Sequence, residues 1–112
     1  MATTDECMTA LRGVLQPLAS HRAAAGLDRS ISCHLTDLRQ VLLGRLATGS
    51  VRDLRVVPEG PDAPRADIRL AMTSDDLVAL TAGDLSFGPA WASGRIKFEA
   101  GLRDVLRLRS LL

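Results

Sequence analysis

Ala66-Asp67-Ile68-Arg69-Leu70-Ala71-Met72-Thr73-Ser74-Asp75-Asp76-Leu77 is the stretch on which the fold turns. Ala66, Ile68, Leu70 and Met72 fall at every second position, the period of a strand with one buried face. The period breaks at Thr73-Ser74-Asp75-Asp76, whose short polar side chains can accept from the free N–H groups of a helix start. A helix then runs to Gly83, with Leu77, Leu80 and Thr81 on one side. Gly88-Pro89 opens another helical turn over 90–92, where the missing proline N–H does no harm. After Gly94, the alternation of Ile96, Phe98 and Ala100 against Arg95, Lys97 and Glu99 predicts a strand, and 102–112 is helical in period.

Upstream, Thr3-Thr4-Asp5-Glu6 supplies a T-x-x-E capping box. From there the chain is helical in period to Gly26, with Cys7, Met8, Leu11, Val14, Leu15 and Leu18 on one arc. Pro17 lies inside that pattern and is expected to kink or divide the helix. From Ser30 the period is two, with Ile31, Cys33 and Leu35 on one face. A second strand over 40–47, a turn at Thr48-Gly49-Ser50 and a third strand over 51–57 read as a hairpin. The Pro/Gly-rich 58–64 reads as an exposed loop. Helix, four strands, two short helices, a fifth strand and a last helix predict an α+β domain, an antiparallel sheet with helices covering one face.

The chain is 112 residues long, the size of a single domain over 1–112. It is 46% hydrophobic but 3% aromatic, with two Phe, one Trp and no Tyr. Its apolar mass is aliphatic, which argues against a base-stacking platform for single-stranded nucleic acid. Fourteen cations against thirteen anions leave a net charge of +1, without the basic stripe that phosphate neutralisation needs, so nucleic acid is not an expected partner. Thirteen of the fourteen cations are arginine, and Asn is absent, a bias that fits a high-GC, bacterial genome. No stretch approaches the roughly 20 apolar residues of a membrane span, and the start of the chain does not read as a signal peptide. The expectation is a cytoplasmic protein. Cys7 and Cys33 form no C-x-x-C and read as two buried, reduced thiols.

Catalytic signatures are sparse. Cys33 and His34 are neighbours in a strand and point to opposite faces, so they cannot form a nucleophile–base pair. His21, near a helix end, reads as a favourable terminal charge. Asp75 and Asp76 diverge by about 100° around a helix and read as capping residues. Thr81, Ser93 and His34 remain as polar candidates, but no nucleophile elbow, phosphate loop, zinc motif or dinucleotide fingerprint accompanies them. No cofactor and no metal is expected. The last helix places Leu102, Val105, Leu106, Leu108 and Leu112 on one arc, with Arg109 inside it, where a guanidinium at the rim of an apolar pocket could meet a carboxylate or phosphate head group. A helix of this kind supports at most peripheral membrane contact.

The segment from Ala66 to Leu112 resembles the sterol carrier protein type two family. The resemblance rests on an ordered series: Ala66-Asp67-Ile68-Arg69-Leu70 before Thr73-Ser74-Asp75-Asp76-Leu77, then Leu80-Thr81-Ala82-Gly83-Asp84-Leu85, then Pro89-Ala90-Trp91-Ala92-Ser93-Gly94-Arg95-Ile96-Lys97-Phe98-Glu99-Ala100-Gly101. It implies a five-stranded antiparallel sheet with helices on one face and an apolar tunnel between the layers. A sterol, fatty acid or fatty acyl-CoA would be bound and transferred there without catalysis. By motif position it implies a wall formed by Met72, Leu77, Leu80, Phe87, Trp91, Ile96, Phe98, Leu102, Val105 and Leu106, with Arg109 at the head group. The alternative is a small accessory subunit, a homodimer or an enzyme's docking partner, without a physiological lipid. A dry cavity on the order of 300 Å³ would cost about 7 kcal/mol, close to a domain's net stability of about 5–15 kcal/mol. The protein is therefore expected to co-purify with lipid.

Overall fold

The computed structural model describes residues 1–20 and 26–109. Among these the chain runs α1 (Thr4–Ser20), β1 (Asp28–Leu35), β2 (Gln40–Ala47), β3 (Ser50–Pro58), β4 (Ile68–Met72), α2 (Ser74–Ala82), α3 (Phe87–Ala92), β5 (Lys97–Ala100) and α4 (Leu102–Arg109), the expected order. His21 and the expected helical run to Gly26 lie outside the described residues, as do the side chains of Leu102 and Arg109. Helix α1 starts on the capping box: Thr3 Oγ1 accepts from the Glu6 N–H, and Glu6 Oε1 accepts from the Thr3 N–H, both at 3.1 Å. It buries Cys7, Ala10, Leu11, Leu15 and Ala19. Pro17 does not divide it. The proline removes one N–H donor from the ladder, that to the Gly13 carbonyl, and beyond it the Ser20 hydroxyl donates to the Gln16 carbonyl at 3.0 Å.

The sheet order is β3-β2-β1-β4-β5. Strands β2 and β3 join through Thr48 and Gly49, both at positive φ (51° and 78°), the backbone of a tight hairpin turn that matches strand twist. The sheet is mixed and not wholly antiparallel, because β1 and β4 pair in parallel from Ile31↔Ile68 to Leu35↔Met72. The connection over 59–67 is the cause. It leaves the end of β3 beside Gln40 and runs back along the sheet, so β4 enters beside Ile31 in the direction of β3. This connection crosses the outer face, where Ala66 packs with Val41, Leu43 and Val57 in a small separate cluster. The main core lies on the other face, with Leu35, Leu42, Ile68, Leu77 and Ile96 at or near zero exposure.

Helix α2 is capped as its sequence suggests: Thr73 Oγ1 accepts from the Asp76 N–H at 3.2 Å, and Gly83 ends the helix at φ 82°. Ser74 does more than the sequence indicated. It is fully buried, its N–H and hydroxyl donate to the two Asp37 carboxylate oxygens at 2.8 and 2.5 Å, and its hydroxyl accepts from the Ala2 N–H. The β1–β2 turn, α2 and the chain start are thereby tied together. Partial burial would raise the Asp37 pKa, but donation from the Ser74 hydroxyl and N–H, and from the Asp37 and Leu38 N–H groups, outweighs it and lowers the value. With the folded value below the unfolded one, this contribution is fully present above the ordinary aspartate range and lost as pH falls through the folded value. Asp37→Asn is expected to flatten the acid limb of a urea-midpoint-against-pH curve, whereas Asp37→Ala, which strands buried donors of Ser74, should cost about 1–3 kcal/mol at neutral pH. An unchanged acid limb in Asp37→Asn would remove this role.

Among the described residues, no helix is long and apolar enough to cross a membrane.

Candidate functional site

Between the sheet's inner face and the helices lies a cavity of about 370 Å³. Its wall draws on both layers. Val14, Leu15 and Leu18 come from α1, at the i, i+1, i+4 spacing of one helical face. Ile31, Leu46, Ile68, Leu70 and Phe98 come from the inner face of the sheet, where Ile31 is paired with Ile68 and Leu70 with Phe98. Phe87 and Trp91 of α3 and Val105 and Leu106 of α4 complete it. Trp91 is 44% exposed and Leu106 58%, so the cavity reaches solvent beside these two.

All three aromatic rings of the chain meet at this wall. Centroids lie 6.0 Å apart for Phe87–Trp91, 6.2 Å for Phe87–Phe98 and 5.6 Å for Trp91–Phe98, the last two edge to face. An interior that composition describes as aliphatic therefore has one aromatic end. Phe87 and Trp91 meet because i and i+4 share a helical face. Phe98 joins them because alternation in β5 turns it inward.

Of the expected wall residues, Phe87, Trp91, Phe98, Val105 and Leu106 line the cavity. Met72, Leu77 and Ile96 do not; they are buried in the core away from the cavity wall. Leu80 packs, partly buried, against that core. Leu102 and Arg109, whose side chains lie outside the described residues, stay as expectations. Sequence reasoning passed over Val14, Leu15, Leu18, Ile31, Leu46, Ile68 and Leu70. It placed most of them on buried faces, but periodicity marks a buried face without showing where the face borders a void.

Among the described residues, every one that lines the wall is apolar. Thr81 donates to the Ala10 carbonyl at 2.7 Å and Ser93 to the Ala90 carbonyl at 3.1 Å, both as structural hydrogen bonds outside the cavity. His34 lies on the outer face, its Nε2 2.5 Å from Glu59 Oε2, in a separate polar cleft of about 320 Å³ with Lys97 and Arg65. Cys7 and Cys33 are free and buried, and burial, aided by nearby Cys7, pushes the Cys33 thiol up to about 12. Such a thiol is not a nucleophile at neutral pH. Among the described residues no group of His, Cys, Asp or Glu is placed to hold a metal ion. The ion pair adjoining the cavity joins Arg29 of β1 to Asp104 of α4, with Arg29 Nε 3.2 and 3.3 Å from the two carboxylate oxygens.

No family model matches the sequence, and no curated protein matches it either. Solved structures do match. The chain is similar to a crystal structure of sterol carrier protein 2, at 16% identity over 97% of this chain and 92% of that one, with a TM-score of 0.66. It is also similar to sterol carrier protein 2 from Aedes aegypti in complex with palmitate, at 16% identity over 96% and 93% of the two chains, with a TM-score of 0.56. The inverting sec-alkylsulfatase Pisa1 from Pseudomonas sp. matches at 24% identity over 78% of this chain, with a TM-score of 0.57. There the chain spans 13% of the larger protein. These likenesses establish the fold: an α+β domain of the sterol carrier protein 2 type.

Proposed function

We propose that this sterol carrier protein 2-like domain binds a lipid by its alkyl portion in the cavity between sheet and helices, and carries it without catalysing a reaction. The observation that carries this reading is the wall of described residues, all apolar, around about 370 Å³ of space that opens beside Trp91 and Leu106. Kept dry and empty, that volume would cost about 9 kcal/mol at the cost per volume of core cavities. An apolar occupant offsets much of this, so affinity follows from a defect in packing that the fold retains. The volume is near the lower end of the range for ligand pockets, about 300–1,000 Å³, which favours a single alkyl chain, as in a fatty acid or the acyl part of an acyl-CoA, over a bulkier lipid. The palmitate complex of the Aedes aegypti relative supports the same class.

Among the described residues no polar side chain lines the wall to move a proton or attack a carbonyl there, which supports a carrier over an enzyme. Protein purified without detergent is expected to release close to one equivalent of lipid on organic extraction, read by mass spectrometry. Recovery of only trace material would count against a permanently filled cavity. In the delipidated protein, titration with dodecanoate should shift the emission of Trp91, the single indole of the chain. A flat titration would place the ligand elsewhere.

A further inference from the structure

Among the described residues the cavity wall holds no charge, so what they do with the polar end of a ligand depends on the rim. Alternation along β1 puts Arg29 on the same inner face as the wall residue Ile31, and its partner across the sheet is another wall residue, Leu46. On the helical side, Asp104 immediately precedes the wall residues Val105 and Leu106. The Arg29–Asp104 pair therefore bridges sheet and α4 at the edge of the cavity. Asp104 is 8% exposed, a carboxylate held against the protein, whereas the Arg29 side chain remains 41% exposed.

The pair is poorly made. Both Asp104 oxygens address the same Nε–H, at 3.2 and 3.3 Å, longer than the roughly 2.7–2.9 Å of a good charge-assisted bond and without the two-pronged geometry that a guanidinium offers a carboxylate. Nη1 is engaged by the Asp28 carbonyl at 2.9 Å. A better anion can therefore outcompete Asp104. The displaced carboxylate would still lie in the first turn of α4, where the helix dipole favours negative charge and offsets part of the cost of leaving it without a counter-ion.

Resting on the lipid-binding reading above, we propose that Arg29 is the head-group anchor for single-chain anionic amphiphiles, those ending in a carboxylate or sulfate, and that Asp104 is an intramolecular stand-in for that head group. Entry of the alkyl chain exchanges one anion on Arg29 for another and frees α4 from β1. The protein discriminates by charge at the rim, while the wall is indifferent to everything except apolar volume.

The test compares dodecanoate with dodecan-1-ol, equal in chain length, by Trp91 emission in delipidated wild-type protein, Arg29→Gln, Arg29→Lys and Asp104→Asn. Wild type should prefer the carboxylate about tenfold. Arg29→Gln should bring the ratio near one with the alcohol affinity retained, Arg29→Lys should keep part of the preference, and Asp104→Asn should raise the ratio several-fold. An undiminished preference in Arg29→Gln, or an unchanged ratio in Asp104→Asn, overturns the assignment while leaving the cavity as a chain-binding site. Should neither amphiphile bind wild type, the cavity reading and the anchor fall together. Far-UV circular dichroism checks each fold, and if Arg29→Gln does not fold, the ratio in Asp104→Asn decides.

Discussion

Val14→Phe is expected to weaken dodecanoate binding by about 100-fold and to leave the thermal midpoint unchanged or higher. Val14 is partly buried on α1 and faces the cavity. A phenyl ring projecting from that position would occupy space that a chain otherwise fills. Excluding three or four methylenes at about 0.8 kcal/mol each removes roughly 2.5–3 kcal/mol, or about two orders of magnitude in Kd. The same ring partly fills a void, and cavity filling commonly adds about 0.5–2 kcal/mol to stability. Affinity and stability should thus move in opposite directions, a combination that damage to the fold cannot produce. Wild-type affinity in a folded Val14→Phe protein would mean that the chain does not lie in this cavity.

For Leu77→Ala the reverse is expected. Leu77 is fully buried in the core and does not line the cavity. Its truncation should cost about 2–5 kcal/mol, lowering the midpoint by roughly 10 °C or more at this chain length. Ligand affinity of the protein that remains folded should stay within about twofold of wild type, because the removed atoms touch no ligand. Chemical unfolding gives the first quantity, and Trp91 titration well below the midpoint gives the second. A Leu77→Ala protein that keeps its stability but loses binding would move Leu77 into the binding wall, where motif position alone had put it.

The contrast between Val14 and Leu77 shows where sequence reasoning stops. Both belong to apolar arcs of amphipathic helices, and nothing in the one-dimensional pattern separates them. Whether an inward-facing residue meets another side chain or empty space depends on the separation of two layers, which is set by the residues on α1, α3, α4 and the sheet together. Arg29 is a similar case. Alternation in β1 places it on the inner face, but the carboxylate it meets is 75 positions away in sequence. Ser74 reads locally as a helix cap, and its larger role arises only because the β1–β2 turn brings Asp37 beside it.

Local chemistry carried much of the rest. The capping box at Thr3 and Glu6, the tight turn at Thr48-Gly49, the strand-to-helix switch at Met72–Thr73 and the glycine that ends α2 each depend on neighbouring residues, so the element order and the α+β class follow from the chain itself. The direction in which β4 enters the sheet does not. A nine-residue connection over 59–67 can span the sheet either way, and its path is fixed by contacts on the outer face, including Ala66 against Val41 and Leu43 and the Ser30–Asp67 hydrogen bonds. By itself, then, the sequence determined the elements, the residues each turns inward and an interior built almost entirely of aliphatic side chains. Tertiary structure alone decided the parallel pairing, the gathering of Phe87, Trp91 and Phe98 at one end of the cavity, and the meeting of Arg29 with Asp104 at its rim. Periodicity is a property of residues a few positions apart, whereas a void and its rim exist only where distant segments fail to close completely upon one another.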